Sequence, residues 1–422
     1  MKKFSLDLIE NSYAHFFSID SRDNKTNIIK TKTGLLQRNF NQQWTSQAHE
    51  LSSVKEAGEH LGRKLNLKGY DNILIKYPFH SGRVLKENRH ILDYLQKLDV
   101  RDWKIVFRAN HIQKFILKRG TKEKKNNFNH YSILIKVKPK ENRHSIEVGE
   151  GNCIEPKFNQ DGLKARLQEI MNNHKQKLPV NITGKVPIIL SAGDGGILFH
   201  EILGHALEAD YIFHNQSPIA IRDLGKPIMS ENVKFISNDK NDPFFSGIKC
   251  DDDGETIKPT TLIEDGKLKN IISDSFYKHL LGIKTCGHSR QEDFTHLPMP
   301  RTFSLYLKPG TFYPEELIES TKYGIYAREF GEGKIYFEKN IFYFSIRDAK
   351  LVENGKPTAP LGNIMVKGSI TEVLNSVDMV ANDFRYDKGI NYCFKNGQTL
   401  NVRVGQPTVK INNLFVSKDS ND

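Results

Sequence analysis

A histidine, a glutamate and a second histidine stand within six residues in His200-Glu201-Ile202-Leu203-Gly204-His205. Imidazole nitrogens bind divalent metals, and a carboxylate beside them can take a proton from water, so these residue types point to metal-assisted hydrolysis. The usual zinc-peptidase motif sets its histidines four residues apart, one turn along a helix. Here the step is five. On a regular helix, turning about 100° per residue, His200 and His205 point about 140° apart and cannot share an ion. A single π-turn, with i→i+5 geometry, brings them onto one face. Gly204 makes that departure cheaper, because glycine tolerates unusual dihedrals. Glu201 then lies beside the first ligand, placed as general base toward a metal-bound water. The competing reading is a buried helix whose two histidines donate to backbone carbonyls. A metal also needs a third protein ligand, and spacing does not supply it: Glu208, Asp210, His214, Cys286, His288, His296 and Cys393 are all candidates.

The element that carries these residues must be buried. Ile197, Leu198, Phe199, Ile202, Leu203, Ala206 and Leu207 cover most of the circumference of a helix over 193–210, and a helix apolar all round belongs in a core. Asp194 is its expected cap. Before it, the first half alternates helix-like and strand-like segments. Helices are expected over 53–67, 89–100 and 159–177, the last capped by Asp161. A short strand is expected over 71–78, and two longer ones flank a basic loop near 118–127. The start, "MKKFSLDLIENSY", reads as an amphipathic helix. After the motif the chain is rich in short strands, with hairpin turns at Asp265-Gly266, near Glu338–Asn340 and at Asn354-Gly355. The expected class is α+β: an α/β domain over 1–185, then a β-rich domain over 186–422 carrying one buried metal-binding helix. Proline and Asn-Ile-Thr-Gly mark the boundary.

Composition bounds the function. With 422 residues, 38% hydrophobic and 27% charged, the chain falls in the ordinary globular class. No apolar run approaches the roughly 20 residues that span a bilayer, and Asp7 and Glu10 interrupt any signal-like segment at the start. The four cysteines lie far apart, so no disulfide framework is implied and the cytoplasm is the default location. Charge is uneven. Residues 1–185 hold 35 Lys and Arg against 19 Asp and Glu, net +16, and the remainder holds 27 against 31, net −4. The basic stretch Lys118–Asn127 reads first as a solvated hairpin tip, and second as a surface for nucleic acid or acidic peptides. No aromatic residue interleaves with its lysines, which disfavours a single-strand platform.

The motif helix, then "CDDDGETIKPTTLIEDGKLKNIISD", "THLPMPRTFSLYLKPG" and "VGQPTVKINNLFV", together resemble the TldD/PmbA family of metallopeptidases in order and spacing. The resemblance runs from about residue 186 to the end, and the first half could not be matched block by block. It implies that the five-residue step is normal for the family, and that the third ligand is the late cysteine, here Cys393. It implies one Zn²⁺ per chain held by His200, His205 and Cys393, with Glu201 as catalytic base. Glu208 and Asp210 would support the ligands, and His296 and Arg301 would lie near the substrate. The activity implied is hydrolysis of unstructured or modified peptides bound as an extended strand. The partners implied are the peptide and a second subunit, as homo-oligomer or as heterodimer with a non-catalytic paralogue. No membrane is involved and nucleic acid is disfavoured. The alternative is a non-catalytic peptide-binding or scaffold subunit of such a pair, or a basic nucleic-acid-binding protein.

Overall fold

The computed structural model describes residues 4–418 except 23, 42, 52–55, 57–80, 119–120, 141–144, 156, 177–181, 240–241, 285–286 and 363. The expected helix over 53–67 and strand over 71–78 lie outside the described residues, Glu56 excepted. The first half contains β1 (Phe4–Asp20), β2 (Lys25–Asn41), β3 (Gln43–Glu50), β4 (Asp102–Lys118), β5 (Lys124–Lys138) and β6 (Ile146–Asn152). These form one antiparallel sheet in the order β3-β2-β1-β4-β5-β6. The start of the chain is therefore a strand, and the helical expectation fails there. β1 is paired along both edges, with β2 and with β4, and its two ends bury opposite faces. Leu6 and Leu8 pack with Ile116, Cys250 and Phe294. Phe17 and Ile19 pack with Trp103, Ile105 and Phe107. Pairing on two edges and burial on two faces override a local pattern that also fits a helix.

Helices cover the second of those faces. Arg89–Gln96 buries Ile91, Leu92 and Leu95, at the spacing the sequence suggests. Gln160–Gln176 places Leu163, Leu167 and Ile170 in the same cluster. Its cap is Asn159, whose Oδ1 accepts from the Gly162 amide at 3.0 Å. Asp161, the expected cap, already lies inside the first turn.

The second half is strand-rich. It opens with β7 (Gly184–Leu190), then, beyond the motif helix, β8 (Phe235–Ser237), β9 (Thr260–Glu264), β10 (Lys267–Leu268), β11 (Ser289–Arg290), β12 (Met299–Pro300) and β13 (Ser304–Leu307). It continues with β14 (Tyr323–Tyr336), β15 (Ile341–Glu353), β16 (Lys356–Leu361), β17 (Ile364–Ser369), β18 (Val377–Val380), β19 (Arg385–Tyr386), β20 (Tyr392–Lys395), β21 (Gln398–Asn401), β22 (Arg403–Gln406) and β23 (Val409–Lys418). One sheet runs β10-β9-β8-β13-β22-β19. In the other, β14-β7-β23-β17-β15 closes into a ring because β15 also pairs with β14. The motif helix is buried in the cluster that both sheets share, with Phe235 and Leu305 from one and Ile188, Leu190 and Phe342 from the other. The turn at Asp265-Gly266 has both residues left-handed, φ 49° and 69°, as a two-residue hairpin requires. Among the described residues no helix is long and apolar enough to cross a membrane.

The two halves meet through complementary charge. Arg38 pairs with Asp253 at 2.7 Å and Lys114 with Asp252 at 3.0 Å, all four side chains mostly buried. Lys118 pairs with Glu255 at 2.7 Å, and Lys124 donates to the Gly254 carbonyl at 2.6 Å. The flanks of the basic stretch thus hold the loop 251–255, and the reading of a purely solvated tip is corrected. Lys32 binds Asp293, and Arg166 binds Asp348 at 2.6 Å. Lys32, Arg38, Lys114, Lys118 and Arg166 of the first half are thus each paired with a carboxylate of the second.

Candidate metal centre

The motif helix changes its winding where the spacing demands it. It is α-helical over Gly196–Phe199, π-helical over His200–Gly204 and 3-10 over His205–Leu207. The i→i+5 bond of the π-turn runs from the His205 amide to the His200 carbonyl, so the turn joins the two histidines directly. Their ring centroids are 5.1 Å apart. Gly204 itself keeps ordinary helical dihedrals, φ −53° and ψ −56°. Its expected role as a relief for unusual dihedrals is not what the backbone uses. Asp194 does not cap the helix either. It accepts from the Lys388 amide at 3.2 Å and pairs with the Lys388 ammonium at 3.2 Å.

Cys393 comes from the far end of the chain. The segment Tyr392–Asn401 folds as the β20–β21 hairpin around Asn396-Gly397, with φ 48° and 78°. Asn-Gly between two short alternating segments is a strong hairpin signal, and it was there to be read in the sequence. Period two turns Cys393 and Lys395 inward and leaves Phe394 outside. The Cys393 thiol comes to 3.0 Å from His205 Nε2. His200, Glu201, His205 and Cys393 each offer a ligand atom, and these atoms lie within 4.8 Å of one another.

The surroundings fix the ligands. His205 Nδ1 donates to Glu208 Oε2 at 2.8 Å, which turns Nε2 and its lone pair toward the cluster. Glu208 is buried and accepts from Lys395 Nζ at 2.7 Å, and Lys395 also reaches Asp210 at 2.6 Å. Burial opposes a charged Glu208, but His205 and Lys395 outweigh it and hold the carboxyl down at about 2. Burial likewise opposes ionisation of Cys393, yet the neighbouring His205 and His200 rings keep the thiol well below its usual range. Burial depresses His205, but Cys393 and Glu208 outweigh it, and the ring is held well above its usual range. A cation bound at this pair would displace a proton from it.

His200 provides the test of fit. The residue is 1% exposed, and neither ring nitrogen has a hydrogen-bond partner. Each such orphan costs on the order of 1–3 kcal/mol unless something fills it. Two imidazoles, a thiol and a carboxylate, whose ligand atoms lie within 4.8 Å of one another, fit a divalent metal of the zinc type. The reading in which both histidines donate to backbone carbonyls does not match these partners.

The remaining candidates separate cleanly. Arg301 is 1% exposed and donates to the Cys393 carbonyl at 2.7 Å, so it braces the ligand's strand instead of facing open surface. His296 bonds Asp293 at 2.9 Å. His288 is buried on Ser237 at 2.7 Å and Asn238 at 3.1 Å, where burial drives it down to about 3. His214 lies against Tyr277. Cys286 lies outside the described residues. Lys395 was missed, although its position two residues after Cys393 on an alternating strand places it on the ligand's face.

The PmbA/TldA metallopeptidase C-terminal domain matches residues 183–418. A metalloprotease TldD homolog of Buchnera aphidicola is 33% identical over 68% of this chain and 61% of its own length. One from Haemophilus influenzae is 36% identical over 55% and 48%. A zinc metalloprotease TldD homolog of Saccharolobus solfataricus is 32% identical over 68% and 64%. The chain thus spans about half to two thirds of the curated relatives it matches. In fold, TldE from Thermococcus kodakarensis superposes with a TM-score of 0.76 over 99% of this chain and 97% of its own, at 13% identity. A Thermotoga maritima structure gives 0.79 over 98% and 96%, at 15% identity.

Proposed function

The chain belongs to the PmbA/TldD family of metallopeptidases, and from that premise we propose that it is a zinc-dependent peptidase of the TldD type. Its substrates are unstructured or modified peptides bound as an extended strand. The observation that carries this is the convergence of His200, Glu201, His205 and Cys393 within 4.8 Å. His200 and His205 nitrogens and the Cys393 sulfur would hold one Zn²⁺. When bound there, zinc supplies a Lewis acid that polarises the scissile carbonyl and acidifies water.

The chain's own groups do the rest. Glu201 keeps about a quarter of its side chain exposed and sits 3.8 Å from His205 Nε2. Its carboxylate takes the proton of the attacking water and returns it to the departing amine. Glu208 and Lys395 hold the His205 tautomer, and Arg301 holds the Cys393 strand. Residues 1–185 and 186–422 act as two domains, with the chemistry in the second. A cytoplasmic location and a second subunit, either a copy or a non-catalytic paralogue, complete the proposal. The fold likeness to TldE favours one other reading, a non-catalytic subunit of such a pair.

Zinc content and cleavage of an unstructured peptide, measured together, test both. Wild type carries one zinc and cleaves. Glu201→Ala keeps zinc and loses activity by about 10²–10⁴-fold, the usual contribution of a general base. Cys393→Ala loses most of both. Full zinc occupancy in Cys393→Ala removes the third ligand. A wild type that binds zinc but cleaves no peptide points to the non-catalytic subunit.

A further inference from the structure

A second cavity, of about 300 Å³, lies between the first sheet and the second half, lined by Arg108, Glu147, Asp194, Ile197, Glu329 and Tyr392 among others. Its wall touches both segments that carry the proposed ligands. Ile197 precedes His200 on the motif helix by one turn, and Tyr392 is the chain neighbour of Cys393. The volume is at the small end for ligand pockets, enough for a side chain or a chain end.

The charges lining it are mostly paired. Glu147 faces Arg347 at 3.4 Å, and Lys388 holds Asp194 at 3.2 Å and Glu329 at 2.6 Å. Arg108 is the exception. Among the described residues its guanidinium has no hydrogen bond and no carboxylate partner; it rests on the faces of Tyr392 at 5.6 Å and Phe16 at 6.0 Å. A half-buried guanidinium with no such partner among the described residues suits a bidentate oxyanion, and a carboxylate is the one that a peptide carries. Arg108 lies on β4, in the strongly basic half.

We propose that Arg108 and this cavity form a carboxylate-binding subsite, which receives either an acidic side chain or the C-terminal carboxylate of a peptide lying toward the metal centre. The proposal rests on the peptidase reading, and the test separates the two.

Two peptide pairs are compared, one differing only in Glu against Gln, the other only in a free against an amidated C-terminus. In wild type, kcat/KM for the carboxylate member of one pair exceeds its neutral partner by roughly tenfold or more, the fold-change of a charge-assisted hydrogen bond. The pair that shows the preference identifies the source of the carboxylate. In Arg108→Met the two members become equal, and Arg108→Lys, which keeps charge but not the fork, restores only part of the preference. Wild type indifferent to both pairs, or Arg108→Met still discriminating, overturns the subsite. If wild type cleaves nothing, the peptidase reading fails, and equilibrium binding of the same fluorescent peptides decides the subsite: Arg108→Met must weaken the carboxylate peptide only.

Discussion

Two buried polar clusters sit on either side of the β11–β12 region, and they are built to opposite rules. At the junction of the halves, cations of the first half meet carboxylates of the second: Arg38 pairs with Asp253 and Lys114 with Asp252, while Asp251 accepts from the amides of Asp253, Glu255 and Ser289. At the motif helix the matching stops one partner short. Glu208, Lys395 and Asp210 satisfy one another and one nitrogen of His205, while neither nitrogen of His200 has a hydrogen-bond partner. A closed cluster holds structure together. A cluster left open by one partner is where something else binds.

That contrast can be broken most forcefully at the closed cluster. Arg38→Met strands the buried Asp253 carboxylate, and denaturant unfolding should show a loss of about 3–5 kcal/mol, as for other buried pairs cut on one side. A loss under about 1 kcal/mol would mean that water reaches the junction and that the two clusters do not differ as described. At the open cluster the same kind of change should behave in reverse. His200→Leu removes two unpartnered nitrogens, so the zinc-free protein should keep its stability or gain up to about 1 kcal/mol, while zinc binding is lost. Marked destabilisation of the zinc-free variant would show that His200 has partners after all.

The smallest effect belongs to Glu10, a poorly matched group at the junction. Burial pushes Glu10 up to about 7 despite Lys114 at 3.8 Å, and Glu10 Oε2 has no hydrogen-bond partner. Its ordinary value is 4.5, so the folded state binds the proton more tightly than the unfolded chain. Stability is therefore given up as pH rises from about 4.5 through about 7. Glu10→Gln should match wild type below pH 4.5 and melt higher above pH 7, by roughly a degree or two. A variant that melts lower at pH 8 would show that ionised Glu10 is a stabilising partner of Lys114.

Much of the site was legible because its signal is local. If the two histidines share an ion, the five-residue step calls for a π-turn, and the apolar residues around it call for burial, whatever the rest of the chain does. Cys393 was not legible from spacing, since 188 residues and a separate hairpin intervene; only the family resemblance named it. The errors have a common cause. β1 was read as a helix because its partners, β2 and β4, lie elsewhere in the sequence. Asp194 was read as a cap because its actual partner, Lys388, is remote. The basic stretch Lys118–Asn127 was read as a solvated tip because the carboxylate and carbonyl that Lys118 and Lys124 bind are in the second half. In each case local chemistry was read correctly, and the outcome was set by a residue far along the chain.

The claim at the centre is that one zinc is held by two histidines and Cys393. X-ray absorption at the zinc edge of the purified, zinc-loaded protein tests it most directly. The account predicts one sulfur at about 2.3 Å together with nitrogen or oxygen neighbours at about 2.0–2.2 Å, with the sulfur shell absent in Cys393→Ala. A wild-type spectrum containing only nitrogen and oxygen neighbours would contradict it.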